Sequence, residues 1–411
     1  MIILSIETSC DETAVSIIEA TGGLESPTFT VLGNALFSQI DIHKEYGGVF
    51  PMLAKREHAK KLPMLLKKVL AEANMYAQEK TNYTEETWNE IENTLEREEG
   101  MYEKLREALE KIEKPDIDVI SVTAGPGLVP ALWVGINCAT ALGKLWGIPV
   151  VGTNHMEGHI ASVLIDKTEA ISNEKFQISK KANEIQFPAM ALLISGGHTE
   201  LVEIKNWGEY KIIGETRDDA VGEAFDKTAR MLGLPYPGGP QISKLAEKAR
   251  DENLIHIAKF PRPMLHSHDL DFSFAGLKTS VLYYLRDNFV SAGRELADTD
   301  KEDIAREFEN AVVEVLVEKT KEALEKTESK TLIIAGGVMA NKKLRETFGE
   351  FETKYSDLKV LVPTNAMAGD NALMIACATY INVTLYPELL KKSEKIIANG
   401  NLRLNSYKTL S

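Results

Sequence analysis

The apolar positions of this chain fall into short runs broken by polar turns. Residues 2–6 are apolar apart from one serine, then comes Glu7-Thr8-Ser9-Cys10-Asp11-Glu12-Thr13, and a second apolar run covers 14–18. Strand, tight polar turn and strand predict a hairpin. The same arrangement returns over 190–204, where Ser195-Gly196-Gly197-His198-Thr199 forms the turn. Two such hairpins about 190 residues apart, each opening an alternating strand–helix segment, predict a duplicated α/β architecture; two unrelated hairpins are the alternative. Further aliphatic runs at 117–122, 150–153, 332–335 and 360–362 predict strands buried on both faces of a parallel or mixed sheet. Helical periodicity marks 54–71 and 303–325, with Pro63 a point at which the first would kink or split.

One stretch differs. Residues 75–114 hold twelve Glu against six Lys plus Arg. Trp88, Ile91 and Leu95, then Tyr102, Leu105, Leu109 and Ile112, recur at helical spacing, with Gly100 between the sets. This predicts one long helix or a helical hairpin, read as a solvated decoration in preference to a partner-docking element. The polar residues 166–182 read as a connector between lobes.

Length and composition limit the reading without deciding it. A chain of 411 residues, 44% hydrophobic and 26% charged, has room for two domains and an ordinary core. Its net charge of −14 disfavours a generic nucleic-acid or membrane-surface binder. The distribution weakens that objection: six negative charges sit net in 75–114, while Lys55, Arg56, Lys60, Lys61, Lys67 and Lys68 against Glu57 make a local +5. That strip is either a solvated helix face or a phosphate-backbone contact. Cys10, Cys138 and Cys377 are too few and too scattered for a disulfide framework or a thiolate zinc site. A reducing, cytoplasmic compartment is the expectation, with no membrane span and no signal peptide.

Candidate chemistry comes from a few motifs. Asn154-His155-Met156-Glu157-Gly158-His159 puts two imidazoles four residues apart, on one face of a helix, where both can reach one ion. It is not HExxH, so Glu157 is not placed as the base of a zinc protease of that type. Two histidines with one carboxylate would suit iron or zinc, but spacing alone does not find the carboxylate. Glycine turns follow strands at Gly125-Pro126-Gly127, at Ser195-Gly196-Gly197 and at Gly336-Gly337, with Pro237-Gly238-Gly239-Pro240 besides. Together they point to a phosphate-bearing ligand, and none fits the P-loop or Rossmann pattern. Asp226, within Asp218-Asp219-Ala220-Val221-Gly222-Glu223-Ala224-Phe225-Asp226-Lys227, could accept from a ribose or an amine. The segment 271–279, DFSFAGLKT, is not interpretable by itself.

Taken in order, IETSCDET, FSQIDIHKEYGGVFP, TAGPGL, NHMEGH, ISGGHTEL, DDAVGEAFDK, YPGGP, DFSFAGLKT, AGGVMAN and GDNALMIA closely resemble the tRNA adenosine threonylcarbamoyltransferases of the bacterial TsaD type. The likeness covers nearly all of the chain except about 75–114 and the last few residues. It implies the actin-like ATPase superfamily fold (shared with sugar kinases, Hsp70 and actin): two lobes with a central cleft and, here, a helical insertion. The implied domains are lobe I over 1–168, lobe II over 185–365, and a C-terminal segment, 366–411, returning to lobe I.

The implied reaction moves a threonylcarbamoyl group from threonylcarbamoyl-AMP to N6 of adenosine 37 in tRNAs that read codons beginning with A. Family metal ligands fall on His155, His159 and Asp370, which supplies the missing carboxylate; iron(II) is the first expectation and zinc the second. Donor-binding residues fall on Leu193, Ile194, Ser195, Gly196, Gly197, Asp226, Gly239 and Asn341. Asp11 or Glu12, at the first hairpin turn, is expected to orient the acceptor amine or relay its proton. The implied partners are tRNA, a paralogous scaffold subunit and a small accessory ATPase. Met52 stands where the family pattern has Glu, and Leu402-Arg403-Leu404-Asn405 matches the family's basic tail only loosely. Two other readings compete: a metallopeptidase built on HxxxH, and an ATP-binding protein of the same fold without transferase activity.

Overall fold

The computed structural model describes residues 1–77, 83–165, 169–171, 175–178, 184–391 and 395–404. The chain divides into two compact units. Unit 1 comprises residues 1–42, 49–184 and 369–411, and unit 2 comprises 43–48 and 185–368.

Unit 1 is built on a seven-stranded sheet in the order β5-β4-β1-β2-β3-β7-β6. Its strands are β1 (Ile2–Glu7), β2 (Glu12–Thr21), β3 (Thr28–Ser38), β4 (Val119–Gly125), β5 (Val150–Asn154), β6 (Glu169–Ile171) and β7 (Lys175–Ile178). The first hairpin forms as predicted, β1 pairing antiparallel with β2 from Ile2↔Glu19 to Glu7↔Ala14. β4 runs parallel to β1, and β5 parallel to β4. The polar stretch read as a connector instead contributes β6 and β7, which extend the sheet beyond β3. The rest of that stretch, at 166–168, 172–174 and 179–182, lies outside the described residues.

The strands of unit 1 are less uniformly aliphatic than their composition suggests. Side chains alternate across a strand. On one face Leu4, Ile6, Val15, Ile17, Ile120 and Val122 join a core with α1 (Pro51–Glu72) and α4 (Val129–Trp146). On the other face Ser5, Ser16, Ser121 and Thr153 are wholly buried. They bond to one another and to α11 (Ala372–Leu385): Ser5 Oγ lies 2.7 Å from Ser16 Oγ and donates to the Ala372 carbonyl at 2.7 Å, and Thr153 Oγ1 meets Thr379 Oγ1 at 2.6 Å. Small hydroxyl residues let α11 come close to the sheet while every polar atom finds a partner. Glu7 and Thr123 carry this polar face to the ends of β1 and β4.

Helix α1 runs unbroken through Pro63. The acidic stretch is a helical hairpin, α2 (Glu85–Leu95) and α3 (Met101–Leu109), turning at Gly100, which has the left-handed φ of 70°. It is not a solvated decoration. Trp88, Ile91, Leu95, Met101, Leu105 and Leu109 are all buried in the same core as α1 and α4.

Unit 2 repeats the plan with five strands: β8 (Ala189–Ile194), β9 (Thr199–Asn206), β10 (Glu209–Glu215), β11 (Thr331–Ala335) and β12 (Lys359–Leu361), in the order β10-β9-β8-β11-β12. Its hairpin is antiparallel, β11 lies parallel to β8, and β12 parallel to β11. Strand for strand this is the order β3-β2-β1-β4-β5 of unit 1, so the duplication inferred from two hairpins is present in the topology. The core of unit 2 packs this sheet against α6 (Val221–Met231), α7 (Gly238–Asp251), α8 (Ala275–Leu285), α9 (Asp298–Thr327) and α10 (Lys342–Gly349).

Candidate active site

The two histidines of the HxxxH motif lie on α5 (His155–Ala161), a helix of seven residues following β5. Asn154 starts it, its side-chain oxygen accepting from the backbone N–H of Met156 at 2.8 Å and of Glu157 at 3.4 Å. The four-residue spacing puts both imidazoles on one side, with ring centroids 4.7 Å apart and planes at 84°. Asp370 precedes α11 and brings its Oδ1 to 3.3 Å from His155 Nε2 and 3.2 Å from His159 Nε2. The three side chains offer ligand atoms that all lie within 4.8 Å of one another. Residues more than 200 apart in sequence thus converge because β5–α5 and α11 pack on the same polar face of the sheet.

Glu7, which the sequence reading did not single out, completes the cluster. Its Oε2 sits 3.0 Å from His155 Nδ1 and accepts from Thr123 Oγ1 at 2.6 Å, while its Oε1 accepts from the Ser9 N–H. With Nδ1 turned to Glu7, Nε2 is the ring nitrogen that faces Asp370. The signal was available: a carboxylate at the end of a buried strand must have a partner.

Electrostatics are correspondingly strong. Burial opposes the charge of Asp370, yet the His155 imidazole and the approach of His159 hold its carboxylate well below the usual range. Burial also opposes charge on His155, but Asp370 and Glu7 outweigh it and raise the imidazole well above its ordinary value. Burial likewise works against Glu7, and His155 nonetheless lowers it. Among the described residues, Nδ1 of the fully buried His159 has no hydrogen-bond partner, and its Nε2 meets Asp370 Oδ1 without hydrogen-bond geometry. Two imidazoles and a carboxylate around a buried nitrogen with no hydrogen bond suit a divalent cation, which would take the place of the proton between His155 and Asp370.

Other carboxylates nearby have separate surroundings. Glu157 accepts from Asn382 Nδ2 on α11 at 2.7 Å, and burial pushes its carboxyl up to about 7. Glu12 accepts from Ser38 Oγ at 3.2 Å. Burial, reinforced by Asp11 beside it, raises Glu12 well above the usual carboxylate range. The turn carrying Asp11 and Glu12 is tied to α1 through the buried His58, whose Nδ1 lies 2.8 Å from Thr13 Oγ1 and Nε2 3.0 Å from the Cys10 carbonyl.

In unit 2 the glycine turns gather at one end of the sheet. β8 and β11 are parallel neighbours, so Leu193-Ile194-Ser195-Gly196-Gly197 and Gly336-Gly337 leave the same edge. Gly336 has φ 101° and packs so closely that a Cβ would lie 2.4 Å from the Ile194 carbonyl oxygen. Gly222, at the start of α6, would likewise meet the Ser195 carbonyl at 2.7 Å, and its N–H reaches that oxygen at 3.3 Å. Asp226 Oδ1 accepts from the Gly238 N–H at 2.7 Å, joining the proline–glycine turn to α6. Gly196, Gly197 and Gly239 have no atom within 4 Å of where a Cβ would stand, which leaves their backbone open to a ligand. Six of the eight donor-binding candidates are thereby linked; Gly239 follows Gly238, the partner of Asp226, and Asn341 follows the Gly336-Gly337 turn as the cap of α10.

The segment DFSFAGLKT acquires a meaning here. Asp218 Oδ1 accepts from the N–H groups of Phe274 and Ala275 at 2.8 and 3.1 Å, and Oδ2 accepts from Ser273 Oγ at 2.6 Å. Asp219 pairs with Lys227 and Lys278, both at 2.8 Å. The segment anchors the start of α8 to the start of α6.

A model of the tRNA N6-adenosine threonylcarbamoyltransferases matches residues 30–81 and 98–377. The chain belongs to that family. It is therefore of the actin-like ATPase fold and a transferase that acts on tRNA, in a family that uses a metal. The internal stretch outside the match, 82–97, is narrower than the 75–114 expected as the insertion and contains α2 but not α3. Among solved structures the chain is similar to component A of (R)-2-hydroxyglutaryl-CoA dehydratase from Acidaminococcus fermentans, at 11% identity over 93% of this chain and 98% of that one, with a TM-score of 0.44. It is similar also to HypF from T. kodakarensis, at 13% identity over 71% and 45% of the two chains, with a TM-score of 0.45. Among the described residues, no helix of this family member is long and apolar enough to cross a membrane.

Proposed function

We propose that this chain transfers the threonylcarbamoyl group of threonylcarbamoyl-AMP to N6 of adenosine 37 in tRNAs reading codons that begin with A. The observation that carries the reading is the His155–His159–Asp370 cluster, with Glu7 behind it, in a chain of this family. These three side chains would hold the metal, iron(II) in preference to zinc, and such an ion supplies Lewis-acid stabilisation of developing negative charge.

In the proposed step a bond forms between N6 and the carbamoyl carbon. The bond from that carbon to the phosphate oxygen breaks, AMP leaves, and N6 gives up a proton. An aryl amine is a weak nucleophile, so positioning carries much of the rate. The open backbone at Gly196, Gly197 and Gly239 gives N–H donors suited to the phosphate, and Leu193, Ile194, Ser195, Asp226 and Asn341 complete the nucleotide contacts. Glu12 or Asp11, at the first hairpin turn, orients the amine or receives the proton from N6. A paralogous scaffold subunit and a small ATPase are the proposed partners, in the cytoplasm.

The test is the purified chain, metal-loaded, with tRNA, threonylcarbamoyl-AMP and those partners, scored for modified adenosine by mass spectrometry. Product that disappears in His155→Ala is the expected result. Peptide cleavage without modified adenosine would overturn the reading in favour of a metallopeptidase. A Glu12→Ala variant that loses no rate in single turnover would remove the proton-acceptor role alone.

A further inference from the structure

Asn341 is held from two sides. Its Oδ1 accepts from the Leu344 N–H at 3.0 Å, capping α10, and its Nδ2 donates to Glu309 Oε1 at 2.7 Å. An amide turned end for end would set a donor against the N–H and an acceptor against the carboxylate, so only one orientation satisfies both partners. Glu309 lies on α9, is fully buried, and its other oxygen pairs with the Arg250 guanidinium of α7. Its neighbours Phe308 and Val312 belong to the apolar core, and a side chain needed only for packing there would be apolar too. A buried carboxylate is costly unless each oxygen is used, and both are.

We propose that Glu309 is a positioning residue that fixes the amide of Asn341 for nucleotide binding. The proposal rests on the reading of Asn341 as a nucleotide contact given above. With two valences committed, Asn341 keeps one N–H on Nδ2 and one lone pair on Oδ1. A donor beside an acceptor matches a ribose hydroxyl, which both accepts and donates. Arg250, Glu309 and Asn341 thus form a chain from α7 through α9 to α10, and the last member meets the ligand.

The test measures AMP binding by titration calorimetry, and thermal stability in parallel, for the full chain and for Asn341→Ala, Glu309→Leu and Glu309→Gln. Leu fills the space without accepting a hydrogen bond; Gln keeps an acceptor for Asn341 but loses the charge pair with Arg250. Glu309→Leu is expected to weaken AMP by about tenfold, the worth of one well-placed hydrogen bond. Glu309→Gln is expected to bind AMP within about threefold of the unaltered chain, a difference well under one such bond, even where its melting temperature falls. A purely structural role predicts the reverse, both variants less stable and neither altered in affinity once folded. Folded Glu309→Leu, or Glu309→Ala should the leucine variant not fold, that binds AMP normally would overturn the positioning role alone, and so would Glu309→Gln as weak as Glu309→Leu. An unaltered chain that does not bind AMP, or an Asn341→Ala variant that binds it normally, would overturn the nucleotide reading and this role with it.

Discussion

Glu7 and Glu157 show how much a single carboxylate depends on its surroundings. Glu7 is buried at the end of a strand and remains an acceptor because His155, Thr123 and the Ser9 N–H all approach it. A glutamine there has one acceptor for three donors. Glu7→Gln is therefore expected to weaken metal binding by about 10- to 100-fold, the range for loss of a ligand's supporting hydrogen bond, as read by chelator competition. Glu157 has one donor, Asn382, and burial dominates. Its carboxyl rises from 4.5 to about 7, so the folded chain holds more protons than the unfolded chain between those values. Its contribution to stability is then lost as pH rises through that window, by an amount on the order of 3 kcal/mol. In metal-free protein unfolded by urea at pH 5 and pH 8, Glu157→Gln should lose less stability with rising pH than the unaltered chain. Equal losses would mean that Glu157 does not titrate there.

At the scale of elements, the hairpin of α2 and α3 is the clearest departure from the sequence reading. Its composition marks a solvated face, and Glu86, Glu92 and Glu99 are indeed exposed. Periodicity found the apolar stripe but not what it faces. The core of unit 1 takes it in, Arg106 stacks on Trp88 at 5.4 Å, and Glu98 beneath the turn accepts from Asn137 at 2.9 Å with Lys55 3.4 Å away. Trp88→Ala should cost about 3–5 kcal/mol in urea unfolding, as for other large-to-small core changes. A solvated helix would lose almost nothing. Gly100 offers a cleaner contrast. No atom lies within 4 Å of an added Cβ, so Gly100→Ala should cost only the left-handed backbone, about 1–2 kcal/mol. Pro63 is the opposite case: α1 passes through it intact because packing along the helix outweighs one missing backbone bond.

For the whole molecule, net charge was the least informative quantity. Its distribution along the chain mattered more, and folding refines even that. In the basic strip of α1, Lys55 donates to the Arg97 carbonyl, Lys60 pairs with Glu57, Lys61 lies over Phe37 and Lys67 over Tyr76. Arg56, Lys60, Lys67 and Lys68 remain exposed. If they meet tRNA phosphates, replacing all four with Ala should reduce the slope of log affinity against log salt by roughly one for each phosphate no longer neutralised. An unchanged slope would make the strip a solvated face.

The two hairpins, the helix that pairs His155 with His159 and the likeness to the family were legible in the sequence, with duplication one of two readings of the hairpins. These follow from local periodicity, turn chemistry and ordered motifs, none of which needs a distant partner. In the sequence, Asp370 is tied to the histidines only through the family resemblance, not through spacing; tertiary structure alone put Glu7 behind His155, set the acidic hairpin into the core and locked Asn341 against Glu309. Each of those joins residues tens to hundreds of positions apart. Their meeting depends on which face of a sheet or helix each side chain occupies and on which elements pack there. A one-dimensional pattern carries the first of these and not the second.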